Sequence, residues 1–155
     1  MARALALAAA TLIVLVAAGC GEDEGVAAGA VVNAYVGASL CAEAQGVAGK
    51  AGDLELRVIC LRDPSPGGRL DLATVGANAR RATEDSAAVA YIEAKGPANR
   101  FAQTIVEEAG IAFVTASSGE EAVRRVLQAV EDAGSGSIRD EVRSNLEGSL
   151  NRPSL

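Results

Sequence analysis

The feature that most constrains the fold is a regular alternation of short apolar segments with longer segments of helical periodicity. Four nearly continuous apolar runs are typical of strands that are covered on both faces of a parallel sheet. The predicted strands are residues 30–36, 54–61, 87–92 and 111–115. The predicted helices are residues 40–48, 69–84 and 97–109, a segment that follows Ser117 and Ser118, and residues 138–146.

Strands that alternate with helices in this way predict a parallel sheet with right-handed crossovers. The expected fold class is α/β, as a single open lobe of three α-β-α layers over residues 30–148. We expect a sheet of about four strands, most simply in the order 2-1-3-4. The acidic residues 20–29 are interpreted as a flexible tether and residues 149–155 as a loose tail.

The first nineteen residues have the pattern of an export signal. Arg3 is their only charge, and the apolar run over residues 4–18 is shorter than the ~20 residues of a membrane span. The small residues before Cys20 resemble a bacterial lipobox, which implies that Cys20 is acylated and becomes the mature N-terminus. The prediction is a protein that is exported and lipid-anchored to the outer face of the cytoplasmic membrane. The alternatives are an ordinary signal peptide or an uncleaved N-terminal anchor.

If Cys20 is acylated, two cysteines remain that could form a disulfide. Cys41 and Cys60 each lie close to the carboxyl end of a predicted strand, and an exported chain matures under oxidising conditions. A disulfide between them is the favoured prediction, and two separate buried thiols are the alternative. Two thiolates without a histidine fall short of the four ligands of a structural zinc site, so no metal is expected.

Several classes of function are disfavoured by composition. The chain has no His, which excludes Ser-His-Asp hydrolysis and His-ligated zinc, and its net charge of −6 disfavours nucleic acid as a partner. No G-x-G-x-x-G follows the first strand and no P-loop is found, so no cofactor is expected. The paired carboxylates are interpreted as solvated helix faces, and no nucleophile has an activating base. We therefore predict that the protein is not an enzyme.

The serial order of the segments resembles a known family. Residues 31–36, residues 78–85 leading into 89–92, the junction at 105–111 and the Ser/Thr-rich residues 115–118 carry the resemblance. They are similar to type I periplasmic binding proteins, and more narrowly to the branched-chain amino acid (leucine-binding) receptors of ABC importers. Members have two lobes that trap the ligand between them. Here the family's C-terminal helices follow Ser118 directly, so we expect the first lobe only.

The resemblance and the topology place the ligand at the carboxyl ends of the strands, where the strand order reverses. By position in the family, Ser117, Ser118 and the backbone of Ala116 would hold an amino acid's carboxylate at a helix N-terminus. In the preceding turn, Lys95 beside Gly96 could attract an anion. The structural alternatives are helix capping by the serines and a solvated Lys95.

Two neighbouring polar residues also have both a functional and a structural interpretation. Glu93, at the end of the third predicted strand, could receive an α-ammonium group, but a surface-loop carboxylate is the favoured interpretation. Asn99 is expected to serve the first turn of the third helix rather than a ligand.

The functional prediction is a lipid-anchored solute-binding protein for an ABC importer or a sensor. Its ligand would be a branched-chain amino acid or a similar small molecule. A single lobe would be either degenerate or completed by a permease, a sensor partner or a homodimer. The alternative is a surface lipoprotein that acts as a protein–protein interaction module without a ligand.

Overall fold

The computed structural model describes residues 30–133 and 137–150. The predicted leader, the acylated Cys20, the tether and most of the predicted tail lie outside the described residues. The strands are β1 Val31–Val36, β2 Gly49–Ala51, β3 Leu54–Cys60, β4 Ala88–Ala94 and β5 Ala112–Ala116. The helices are α1 Ala38–Gln45, α2 Leu72–Thr83, α3 Asn99–Glu108, α4 Gly119–Glu131 and α5 Ile138–Leu150. Within these ranges, no helix is long and apolar enough to cross a membrane.

The five strands form one open, mostly parallel sheet in the order β2-β3-β1-β4-β5. The predicted α/β class is confirmed, but the strand count and the order 2-1-3-4 are corrected by an additional strand. Residues 49–51, expected to be a connection, pair antiparallel with β3 across a two-residue hairpin loop. Gly52 opens that loop with a φ of 59°, a conformation that glycine adopts without the steric cost of a side chain.

Apolar side chains fill both faces of the sheet. One core cluster joins β1 and β4 to α1, α4 and α5, with Val36, Val126 and Val142 fully buried. The other joins the opposite face to α2 and α3 and is centred on Tyr35 and Tyr91. Successive strand residues point to opposite faces, so the nearly continuous apolar runs supply both clusters at once.

The late helices pack on the sheet. Arg139 of α5 donates from Nε to the carbonyl oxygen of Ala88 at 2.7 Å and from Nη1 to that of Ala109 at 3.2 Å. Its Nη2 donates to the carbonyl of Asp85. One guanidinium therefore ties α5 to the first residue of β4 and to the segments that precede β4 and β5. The helix extends to Leu150, past the predicted end at residue 146.

The predicted disulfide is confirmed. Cys41 in α1 and Cys60 at the end of β3 are bonded, with Cα atoms 5.6 Å apart. The first helix begins at Ala38 rather than at the predicted residue 40, and Gly37 precedes it without a side-chain cap. The crosslink therefore joins the helix that follows β1 to the carboxyl end of β3.

Candidate functional site

A cleft of about 400 Å³ opens at the carboxyl ends of β1, β3 and β4. It includes the point at which the strand order reverses, since the chain leaves β1 toward β3 on one side and later enters β4 on the other. Half of the lining residues are Ala, Gly or Pro, and their small side chains occupy little of the cleft. Its polar lining residues are Ser39, Asp63, Ser65, Glu93, Lys95 and Asn99.

Glu93 is the buried charged group of this cleft. Its side chain lies in β4, and only 8% of the residue is exposed. The favoured interpretation of Glu93 as a solvated loop carboxylate is therefore wrong, because β4 continues through Ala94 rather than ending at residue 92. A strand residue at this place points between the sheet and the helices, and its carboxyl is withdrawn from water.

A glycine on the neighbouring strand makes room for this carboxyl. Gly37 directly follows β1, and its N–H donates to the carbonyl of Ile92 at 2.8 Å. A Cβ on Gly37 would lie 2.9 Å from Cδ of Glu93, closer than real Cβ atoms come to other heavy atoms. Any larger residue at position 37 would have to displace the Glu93 carboxyl, so glycine at this position leaves space for it.

Burial raises the pKa of Glu93 to about 7. A hydrogen bond with the Tyr91 side chain opposes that rise, and the negative charge of Asp63 adds to it. The pKa of Tyr91 is raised as well, by burial and by the charge of Glu93. At neutral pH both forms of Glu93 are populated, and an approaching cation would favour the ionised form.

Lys95 and Gly96 lie on the rim of the same cleft, as predicted from the turn that they form. Both are exposed. Asn99 opens α3, and its Nδ2 donates to Oγ1 of Thr115 on β5 at 3.3 Å. The structure thus brings Lys95 and Gly96 close to Glu93 in one cavity, and it leaves Asn99 tied to a neighbouring strand.

Residues 116–118 lie outside the lining of this cleft. Ser118 caps α4 by accepting a hydrogen bond from the Glu121 N–H at 3.4 Å, so helix capping, the structural alternative for this serine, is confirmed. Its hydroxyl also donates to Oε2 of Glu43 at 3.2 Å, and the N–H of Gly119 donates to the same oxygen at 3.0 Å. A carboxylate of the protein itself meets the N-terminus of α4, so a ligand carboxylate would have to compete with it.

The close approach of α1 and α4 holds Glu43 in that position. A Cβ on Gly119 would lie 3.0 Å from the carbonyl carbon of Leu40 and 3.1 Å from the backbone nitrogen of Ala44. Glycine at the start of α4 therefore lets the two helices touch through their backbones. Nothing in the local sequence around Ser118 indicates this contact, since Glu43 is 75 residues away.

A second polar cluster surrounds Asp85, which immediately precedes the central strand β4. Its carboxylate accepts hydrogen bonds from Nδ2 of Asn33 at 2.7 Å, from the hydroxyl of Tyr35 at 2.8 Å and from the N–H of Ala87 at 2.9 Å. Burial opposes ionisation, but these bonds keep the pKa of Asp85 below its usual value. Burial and the bond to Asp85 raise the pKa of Tyr35 to about 12. These mutual bonds fix the start of β4 and give the cluster a structural role.

No group of three or more potential metal ligands occurs in residues 30–133 and 137–150. Comparison with protein-family models, curated proteins and solved structures finds no match to this chain. The resemblance to branched-chain amino acid receptors therefore remains a prediction, and function is inferred from the cleft itself.

Proposed function

We propose that this chain is an exported solute-binding protein whose cleft at the carboxyl ends of β1, β3 and β4 takes a small molecule with an ammonium group. The buried carboxyl of Glu93 on the wall of that cleft carries the proposal. A carboxylate in a place of low polarity is costly unless a positive charge accompanies it. A bound ammonium would supply that charge.

The other lining groups favour a small zwitterion. Lys95 on the rim offers a positive charge to a ligand carboxylate, while Glu93 and Asp63 offer negative charge to its amine. The lining residues without polar side chains are small, which leaves room for the side chain of a bound amino acid. Because the cleft is open on one side, we expect affinity in the millimolar range unless a partner closes it.

Export and lipid anchoring remain part of the proposal. The disulfide between Cys41 and Cys60 supports maturation in an oxidising compartment, in agreement with the leader pattern of residues 1–19. A permease or a sensor would be the partner that receives the ligand. Replacement of Cys20 by Ser should release the protein from the membrane fraction, and retention there would contradict the lipid anchor.

Calorimetric titration of the purified chain with glycine, alanine and leucine tests ligand binding. We expect binding that weakens roughly a hundredfold between pH 8 and pH 5, because the ionised fraction of Glu93 falls about tenfold per pH unit below its pKa. Glu93→Gln should abolish binding, whereas Glu131→Gln on the exposed face of α4 should leave it unchanged. Equal binding by Glu93→Gln, or no heat with any of the three at millimolar concentration, would refute the proposal.

The second candidate function is a surface module for protein–protein contact. It is favoured by three exposed large apolar side chains, Leu72 on α2 and Phe101 and Ile105 on α3. Absence of ligand binding together with a defined assembly in solution would support this candidate instead.

A further inference from the structure

Two large apolar side chains of α3 are exposed to solvent. Ala102 and Val106 anchor the helix on the core, and both are buried. Phe101 and Ile105, four residues apart on the same side of the helix, are 36% and 41% exposed. Phe and Ile at this spacing give α3 a short apolar stripe that is partly exposed to solvent.

The charges of α3 are reversed relative to its dipole. A helix is stabilised by negative charge in its first turn and positive charge in its last. In α4, Glu120 and Glu121 occupy the first turn, and in α2 the last turn is basic, so both follow this rule. In α3, Arg100 is in the first turn and Glu108 in the last.

An antiparallel neighbouring helix would compensate both ends of α3. Its C-terminal carboxylates would lie beside Arg100, and its N-terminal cation would lie beside Glu107 and Glu108. The partner that carries this charge order is α3 itself, in a second copy of the chain. A two-fold axis makes such a contact self-complementary, since each copy offers the other the same surface.

We propose that the chain forms a symmetric dimer through antiparallel packing of α3 on α3, with the two-fold axis passing close to Thr104. At about 1.5 Å rise per residue, this axis aligns Arg100 with Glu108 of the second copy. It also offsets Phe101 from Ile105 of the second copy by roughly 3 Å along the axis, within side-chain reach.

The apolar contacts and the charge pairs have different roles in the proposed dimer. Burial of the apolar stripe supplies the affinity, and the charge pairs at its ends set the antiparallel register. Arg100 is already held at the stripe, with its guanidinium 4.6 Å from the centroid of the Phe101 ring. Leu72, 52% exposed at the start of the neighbouring α2, adds apolar surface to the same layer. This dimer is independent of the ligand cleft, because its contacts lie on the outer face of α3.

Thr104→Cys in the full chain tests the position of the axis. Two cysteines beside a two-fold axis should form an intermolecular disulfide, seen as a doubled mass on a non-reducing gel. Glu131→Cys, at another exposed position on α4, is the matched control and should remain monomeric on that gel. Crosslinking of Thr104→Cys no greater than that of the control would overturn the proposal.

A charge exchange tests the register. In the Thr104→Cys background, Arg100→Glu and Glu108→Arg should each reduce crosslinking by about tenfold, because each places like charges opposite one another twice. A mixture of the two variants should recover a mixed dimer, since Glu at position 100 then faces Arg at position 108. Glu131→Arg, with the same charge change on α4, should have no effect. Failure of the mixture to recover the dimer would overturn the antiparallel arrangement.

Discussion

Glu93→Gln should make the protein more stable at pH 8 and leave its stability almost unchanged at pH 4. Burial raises the pKa of Glu93 in the folded protein to about 7 from an ordinary value of 4.5. The folded state therefore holds this proton more tightly than the unfolded chain does. The stability that the protonated carboxyl contributes is fully present below pH 4.5 and is lost as the pH rises through 7.

The size of the effect follows from the same two values. The interval between 4.5 and about 7 is about 2.5 pH units. At ~1.36 kcal/mol per unit, ionisation of Glu93 in the folded state lowers the free energy of unfolding by about 3 kcal/mol. Gln is similar in shape to a protonated Glu and carries no charge at any pH. The variant should avoid this loss.

Urea denaturation of wild type and Glu93→Gln at pH 4, 5.5, 7 and 8.5, under non-reducing conditions, measures the difference. The two unfolding free energies should diverge across this range, with the variant the more stable above pH 7. Glu131→Gln, at an exposed position on α4, should show no such divergence. Parallel pH profiles for wild type and Glu93→Gln, or an NMR titration midpoint of the Glu93 carboxyl below pH 5, would refute the reasoning.

Four further substitutions test the disulfide, the contact between α1 and α4, and the position of α5. Cys41→Ser should lower the free energy of unfolding by about 3 kcal/mol, measured in urea, because the disulfide closes a loop with a sequence separation of 19; an unchanged value would contradict a bridged native state. Gly119→Ala should lower the free energy of unfolding by about 2 kcal/mol, because the new Cβ would collide with the backbone of α1. Gly148→Ala, with no neighbouring heavy atom within 4 Å, should stabilise α5 by up to about 1 kcal/mol. A thermal melting temperature that is higher for Gly119→Ala than for Gly148→Ala would contradict the contact between α1 and α4. Arg139→Met should cost about 3 kcal/mol and speed amide exchange throughout α5, because three carbonyl oxygens lose their donor; unaltered exchange would count against the tie.

The element types could be predicted because period and apolarity are local properties of the chain. The runs at residues 30–36 and 87–92 indicate buried strands on their own, and both are strands of the sheet. Strand β2 could not be predicted, since three residues are too short to show a period. Its pairing with β3 depends on the turn that begins at Gly52.

Only part of the candidate site could be predicted from the sequence. The turn at Lys95 and Gly96 follows from composition, and these residues do line the cleft. Helix capping by Ser118 was the alternative to its role in ligand binding, but the carboxylate that contacts it comes from Glu43 on another helix. Polar contacts of this kind join residues far apart in the chain, and no local pattern records them.

The sequence alone determined an α/β lobe. Segments with the apolar pattern of buried strands alternate along the chain with segments that have the apolar pattern of helices, and both must be buried in one core. It also indicated the pairing of Cys41 with Cys60. Tertiary structure alone decided the burial and the pKa of the Glu93 carboxyl. A carboxylate after an apolar run is expected to face water, and only parallel pairing brings Gly37 beside it and leaves a space that the carboxyl fills. Burial, and with it the ionisation of Glu93 near neutral pH, depends on that neighbour rather than on the residue itself.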